Sequence, residues 1–230
     1  MPQTLESTAA NQNEGSSRIE GEYRIELIRK AIHFCSISIP IFYFFTPRPV
    51  ALTILFPCTL AVIAVDLARY YNRQVEIWFY KSFGWLLRKH ESDRDKKTLN
   101  GATYVLIAAT LTVLIFPKLI AVTAFVILIV SDMTSALVGR RFGKHRFLAK
   151  SLEGSSAFFI SACIIVAFAP KIEYQLSEYI IGIVASAIGA VVEALPIRLD
   201  DNLTIPVSVG AAMWIGYALV LPLLDIYKFG

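Results

Sequence analysis

Long apolar runs, broken by short polar punctuation, dominate this chain from about residue 27 onward. A helix needs about 20 consecutive apolar residues to cross a bilayer. On that criterion the pattern predicts seven spans, at 27–46, 49–68, 100–116, 118–139, 155–170, 178–196 and 204–224. The stretch from Asn72 to Leu87 differs. Val75, Trp78, Phe79, Phe83, Leu86 and Leu87 recur at helical spacing, with Arg73, Glu76, Lys81 and Arg88 interleaved. That pattern suits a helix lying in the membrane interface, or one packed as a solvated helix on the bundle. The expected fold is therefore an all-α polytopic membrane protein of about seven transmembrane helices plus an interfacial amphipathic helix.

Composition agrees. Of 230 residues, 56% are hydrophobic and only 17% charged, more apolar side chain than a soluble domain of this size can bury. Residues 1–22 are polar and unpatterned and read as a disordered N-terminal tail. They contain no apolar core of a signal peptide, and with their acidic residues they do not resemble a transit peptide. Residues 23–230 read as one membrane-embedded domain. Cys35, Cys58 and Cys163 all fall in apolar runs, with neither metal-ligand nor disulfide spacing, and read as small hydrophobes.

Charge distribution sets the expected sidedness. Residues 1–30, the 69–99 segment, the 140–154 loop and the 197–203 loop hold 18 of the 22 Lys and Arg residues. By the positive-inside rule these face the cytoplasm. The protein is then expected in the cell (inner) membrane with its N-terminus and its polar loops cytoplasmic. The bilayer is the expected partner, and nucleic acid is not.

Charged residues at membrane depth cost about 2.5–3.5 kcal/mol each on insertion scales, so each is a functional candidate. Asp132 is placed roughly 20 Å from the outer end of an apolar core about 30 Å thick. Glu26, Arg29, Lys30 and His33 share one helical face entering the first span. Snorkelling accounts for the two cations there but not for His33. Asp66, Arg69 and Arg73 share a face at the end of the second span, which also suits a local ion pair. Gly182, Ser186, Gly189 and Glu193 share a face of the sixth span. Asp200, Asp201 and Asn202 follow between Pro196 and Pro206; an Asx turn explains them, and so does a hard cation such as magnesium. Between spans four and five lies GRRFGKHRFLAKSLEGSS, residues 139–156. Its glycine spacing and the His145 after Lys144 exclude a Walker A loop. Acids, bases and glycines gathered at one membrane surface suit a metal–polyphosphate site.

Five motifs carry a family resemblance: RKAIHF (29–34), LNGATY (99–104), SDMTSALVGRRFGK (131–144), KSLEGSSA (150–157) and VVEALPIRLDDNLTIP (191–206). Across 23–224 the chain resembles the dolichol kinase family in the broad sense. That family holds polyprenol kinases, CTP-dependent diacylglycerol kinases and phytol kinases, and it is related to the phosphatidate cytidylyltransferases. It departs from the family at Ser131, where Gly is common, and at Met133, where a small residue is usual. Its short length is similar to the compact prokaryotic or diacylglycerol-kinase-like branch. The resemblance implies transfer of the γ-phosphate of a nucleoside triphosphate, CTP or else ATP, to the hydroxyl of a membrane lipid alcohol with Mg2+ assisting. Diacylglycerol, polyprenol (dolichol) and phytol all fit that description. Expected catalytic residues are Asp132, Lys144, Arg140 and His33. Expected nucleotide contacts are Gly139, Gly143, Lys150, Glu153 and Gly154. Expected metal ligands are Asp132, Glu193, Asp200, Asp201 and Asn202. Two other functions use similar ingredients: a cytidylyltransferase making a CDP-lipid from phosphatidic acid, and a transporter whose buried acids relay ions.

Overall fold

A computed structural model describes residues 31–87, 98–197 and 199–228, together with Ile28. The expected tail at 1–22 and the expected stripe residues Glu26, Arg29 and Lys30 lie outside the described residues. The described chain is helical apart from one short hairpin. After a helical segment at 31–35 and a turn at 36–37, the elements are α1 (Ser38–Phe45), α2 (Arg48–Tyr71), α3 (Arg73–Phe83) with a 3-10 turn at Gly84–Leu86, α4 (Gly101–Ile115) and α5 (Lys118–Phe142). Then come the antiparallel strands β1 (Arg146–Phe147) and β2 (Lys150–Ser151), followed by α6 (Leu152–Phe168), α7 (Leu176–Ala194) and α8 (Asp201–Val220).

Helix ends follow local chemistry. Asn72 starts α3 by accepting from the Gln74 and Val75 amides, and Asn100 starts α4 by accepting from Thr103 N. Ser151 Oγ accepts from Gly154 N at the start of α6. Gln175 and Glu178 form a capping box on α7, and Asp200 caps α8 through Asn202 N. Each cap satisfies amides that a helix cannot pair internally.

The most buried helix is α5, with Ile120, Ile127, Leu128 and Ile129 fully enclosed. It packs against α6 and α8, while α7 packs against both of these and α2 leans on α4. Outward faces remain strongly apolar, for example Phe45, Phe168 and Leu219 at 76–87% exposed. So much contiguous apolar surface suits lipid, not water. Hydroxyls inside the bundle are satisfied locally. Thr112, Thr123, Ser161 and Ser186 donate to carbonyls one turn back, and Thr59 and Thr110 pair across α2 and α4 at 2.7 Å.

Among the described residues four helices are long and apolar enough to cross a membrane: α2, α5, α7 and α8. The apolar helices at Ala31–Phe45, Gly101–Ile115 and Leu152–Phe168 are shorter. A 15-residue helix measures about 22 Å against a hydrocarbon core of about 30 Å. The seven-span expectation thus meets four full-length helices and three short ones. The expected interfacial segment 72–87 forms α3 and its following 3-10 turn. Phe79 faces inward at 5% exposed, whereas Ile77 and Trp78 face outward.

Candidate functional site

Chain direction brings four termini to one end of the bundle: the C-termini of α5 and α7 and the N-termini of α6 and α8. The 143–151 connection crosses that end as a tight hairpin. Leu148 sits at its turn with φ of +52°, a left-handed conformation uncommon for a branched side chain. Ala149 N donates to Ala194 O at 3.0 Å, which pins the hairpin to the end of α7. The hairpin then points Lys150 into the bundle.

There the Lys150 ammonium lies 2.5 Å from Glu193 Oε1 and 3.0 Å from Asp201 Oδ2. Ser135, one turn beyond Asp132 on α5, donates to the same Glu193 oxygen at 3.0 Å. Asp132 lies close enough to interact electrostatically with both Lys150 and Glu193. Burial pulls the Lys150 ammonium down, but Asp201, Glu193 and Asp132 overcome it and hold the group above the ordinary lysine value. Glu193 is 1% exposed, and its second oxygen, Oε2, has no hydrogen-bond partner. A buried carboxylate oxygen left unpaired is costly, so it marks a position where a cation or donor can bind.

Gly139, Gly143 and Gly154, expected as nucleotide contacts, pack closely against protein. A Cβ on Gly139 would meet Ser151 Oγ at 2.9 Å, and one on Gly154 would meet Ser135 O at 3.1 Å and Gly139 Cα at 3.3 Å. A Cβ on Gly143 would run into the Gly139 carbonyl. These glycines let the end of α5 and the start of α6 touch backbone to backbone around Ser151. Their absent side chains are filled by protein.

The remaining candidates spread along the rim. Glu153 Oε1 lies 2.8 Å from His145 Nδ1, and Glu153 also accepts from His145 N, which closes the outer side of the hairpin. Arg140 and Lys144 are exposed beside it. Asp200 is engaged as the α8 cap, and Asn202 is half-buried in the first turn. His33 is half-buried in the 31–35 segment.

Among the described residues no group of three or more His, Cys, Asp and Glu side chains is arranged to hold a metal. The donor chemistry nevertheless fits magnesium. Asp132, Glu193 and Asp201 supply hard oxygens, and the Glu193 Oε2 atom is unsatisfied. What stands between the Glu193 and Asp201 carboxylates is the Lys150 ammonium.

A second polar node sits at the same end. Asp66, fully buried, pairs with Arg69 at 2.9 Å and accepts from Asn100 N at 2.7 Å and Thr103 Oγ1 at 2.9 Å. Arg69 also donates to Thr98 O, and its guanidinium lies over the Tyr70 and Phe79 rings. The Asp66–Arg69 pair was legible from its spacing. Its clamp on α4 was not, and it gives LNGATY a structural role: Asn100 caps the helix and Thr103 anchors Asp66.

Comparison with known proteins adds the following. The chain is 34% identical over 193 residues to the uncharacterized protein RP860 of Rickettsia prowazekii, a match covering 81% of this chain and 92% of that protein. It is 31% identical over 158 residues to the CTP-dependent diacylglycerol kinase 1 of Schizosaccharomyces pombe, covering 61% of this chain and 65% of that protein's own length. No family model matches, and no solved structure matches.

Proposed function

The chain belongs to the same family as the Rickettsia prowazekii protein, and for this member of it we propose a membrane lipid kinase. It transfers the γ-phosphate of a nucleoside triphosphate, CTP in particular, to the hydroxyl of a lipid alcohol. The partial likeness to a CTP-dependent diacylglycerol kinase supports both the reaction class and the nucleotide. The observation that carries the reading is the convergence of Lys150, Glu193, Asp201 and Asp132 at one end of the bundle. In this reading all seven apolar helices cross the membrane, and that end faces the cytoplasm. There a triphosphate arriving from water and a lipid hydroxyl at the interface can meet.

Phosphoryl transfer asks a protein mainly for positioning and charge neutralisation. The lipid hydroxyl oxygen forms a bond to the γ-phosphorus, the bond to the bridging β-oxygen breaks, and the nucleoside diphosphate leaves. Asp132 takes the hydroxyl proton. Arg140 and Lys144, exposed on the rim, neutralise phosphate charge, and Lys150 does so from within. Glu193 and Asp201, with Asn202 nearby, would hold Mg2+, whose chemistry is to offset triphosphate charge. The glycines and the Glu153–His145 contact keep the hairpin in place.

Purified protein supplied with a lipid alcohol and labelled CTP tests this. Label from the γ-position should reach extracted lipid, and label from the α-position should not. Label arriving only from the α-position would make the protein a cytidylyltransferase. Asp132→Asn should lower transfer by about 100-fold or more, the usual size of a general-base contribution. Full transfer in that variant would remove Asp132 from the role of base, and label reaching lipid from neither position would favour a transporter.

A further inference from the structure

Resting on that reading, we infer that Lys150 is a tethered cation which occupies the acidic pocket in the nucleotide-free protein and gives it up to a divalent metal. Two distances define the arrangement: Lys150 Nζ sits 2.5 Å from Glu193 Oε1 and 3.0 Å from Asp201 Oδ2, so it bridges the two carboxylates as a cation would. Asp132 adds a third negative charge in range of the same ammonium. The buried Glu193 Oε2 atom lacks a partner, so the ammonium leaves one ligand position of the pocket unmet. A divalent ion accepting both Glu193 oxygens would meet it.

Electrostatics favour the exchange. Three carboxylates with one ammonium leave an excess of two negative charges, and a divalent cation in its place leaves an excess of one. Without any cation the buried Glu193 carboxylate would be uncompensated, which is strongly destabilising. A side chain bound this way therefore protects the fold until the metal arrives. The Lys150 side chain is 34% exposed, so its ammonium can reach water, or a phosphate, by rotating its stem while the hairpin stays pinned through Ala149. Gripping phosphate and holding the acids are then successive states of one residue.

The test uses Mn2+ alone, with no nucleotide or lipid, on the full-length protein in detergent. Binding is followed by the loss of free-ion paramagnetic signal and by the shift in melting temperature. The unaltered protein should bind Mn2+ weakly. Lys150→Met should bind it at least about tenfold more tightly, because a competing charge is gone. Adding Glu193→Gln to that variant should restore weak binding. Equal affinity in the unaltered protein and Lys150→Met would overturn the inference. If Lys150→Met does not fold, acetylation of the unaltered protein decides. Lys150 should be slow to react until Mn2+ is added and then react several-fold faster, while exposed Lys144 and Lys228 stay constant. No metal dependence at Lys150 would overturn it. Because no phosphoryl transfer is measured, a protein that shows the exchange yet fails the labelled-CTP assay would retain the inference and lose the kinase reading.

Discussion

What fills the place of the missing methyl group separates a glycine that packs from a glycine that cradles a ligand. The family resemblance makes Gly139, Gly143 and Gly154 nucleotide contacts, and such contacts need backbone close to oxygen. In the structure the space beside these residues is filled by Ser151, Ser135 and one another. Gly143→Ala should therefore destabilise by about 1–3 kcal/mol, as overpacking does, since the added carbon meets the Gly139 carbonyl. Gly139→Ala should cost less, because its nearest obstacle is the movable Ser151 hydroxyl. Thermal unfolding in detergent ranks the two. A loss of nucleotide affinity with unchanged melting in both variants would return these glycines to the ligand. The acids show the complementary lesson. Asp132 and Glu193 were visible as charges in apolar runs, since charge at that depth is rare. Lys150 is expected only as a nucleotide contact, and its pairing with these acids was not legible, because 43 residues separate it from Glu193 and 51 from Asp201, and no local period encodes such a distance.

At the scale of elements, the turn between α6 and α7 shows what a buried lysine can do away from the site. Lys171, 2% exposed, donates to Val166 O at 2.6 Å and Ala169 O at 2.8 Å, closing the C-terminus of α6. Beside it, the Glu178 carboxylate collects the Ile172, Glu173 and Gln175 amides and the Tyr217 hydroxyl of α8. Burial, the larger influence, holds Lys171 below its ordinary value of 10.5, and Glu178 only partly offsets that. The unfolded chain thus binds this proton more tightly than the fold does, so stability from Lys171 rises with pH towards 10.5 and levels off above it. Lys150 has the opposite sign. Its raised value means its contribution is complete below 10.5 and is lost as pH climbs further. Lys171→Met should remove the rise below pH 10.5 while leaving the alkaline loss, and melting curves between about pH 8 and 11 read both. An unchanged slope would show that Lys171 keeps its ordinary value. Helix existence was legible in the pattern because α2, α4, α5, α6, α7 and α8 each follow an apolar run. The ends were less so. The Asp-Asp-Asn stretch was read as loop, yet α8 begins at Asp201, because Asp200 caps it. The β-hairpin left no signal, being two residues per strand with an ordinary leucine at its turn.

For the whole molecule, the three short apolar helices decide how the bundle sits in its membrane. If α6 crosses, the 143–151 hairpin and the 169–175 turn lie on opposite sides. At 17 residues it spans about 26 Å, which thinning of the bilayer or snorkelling of flanking residues can accommodate at a fraction of a kcal/mol per Å. Basic residues support the crossing, because the hairpin region is rich in Lys and Arg, while Lys171 is the one cation between Phe168 and Leu176. Replacing Cys35, Cys58 and Cys163 with Ala or Ser leaves a background for single reporters at two exposed positions, Arg146→Cys and Glu173→Cys. In intact cells a membrane-impermeant maleimide should modify Glu173→Cys and spare Arg146→Cys until the membrane is permeabilised. Modification of both, or of neither, before permeabilisation would mean that α6 turns back within the bilayer. The pocket would then lie on the same side as the 169–175 turn, and its access to cytoplasmic nucleotide would no longer follow from the distribution of charge.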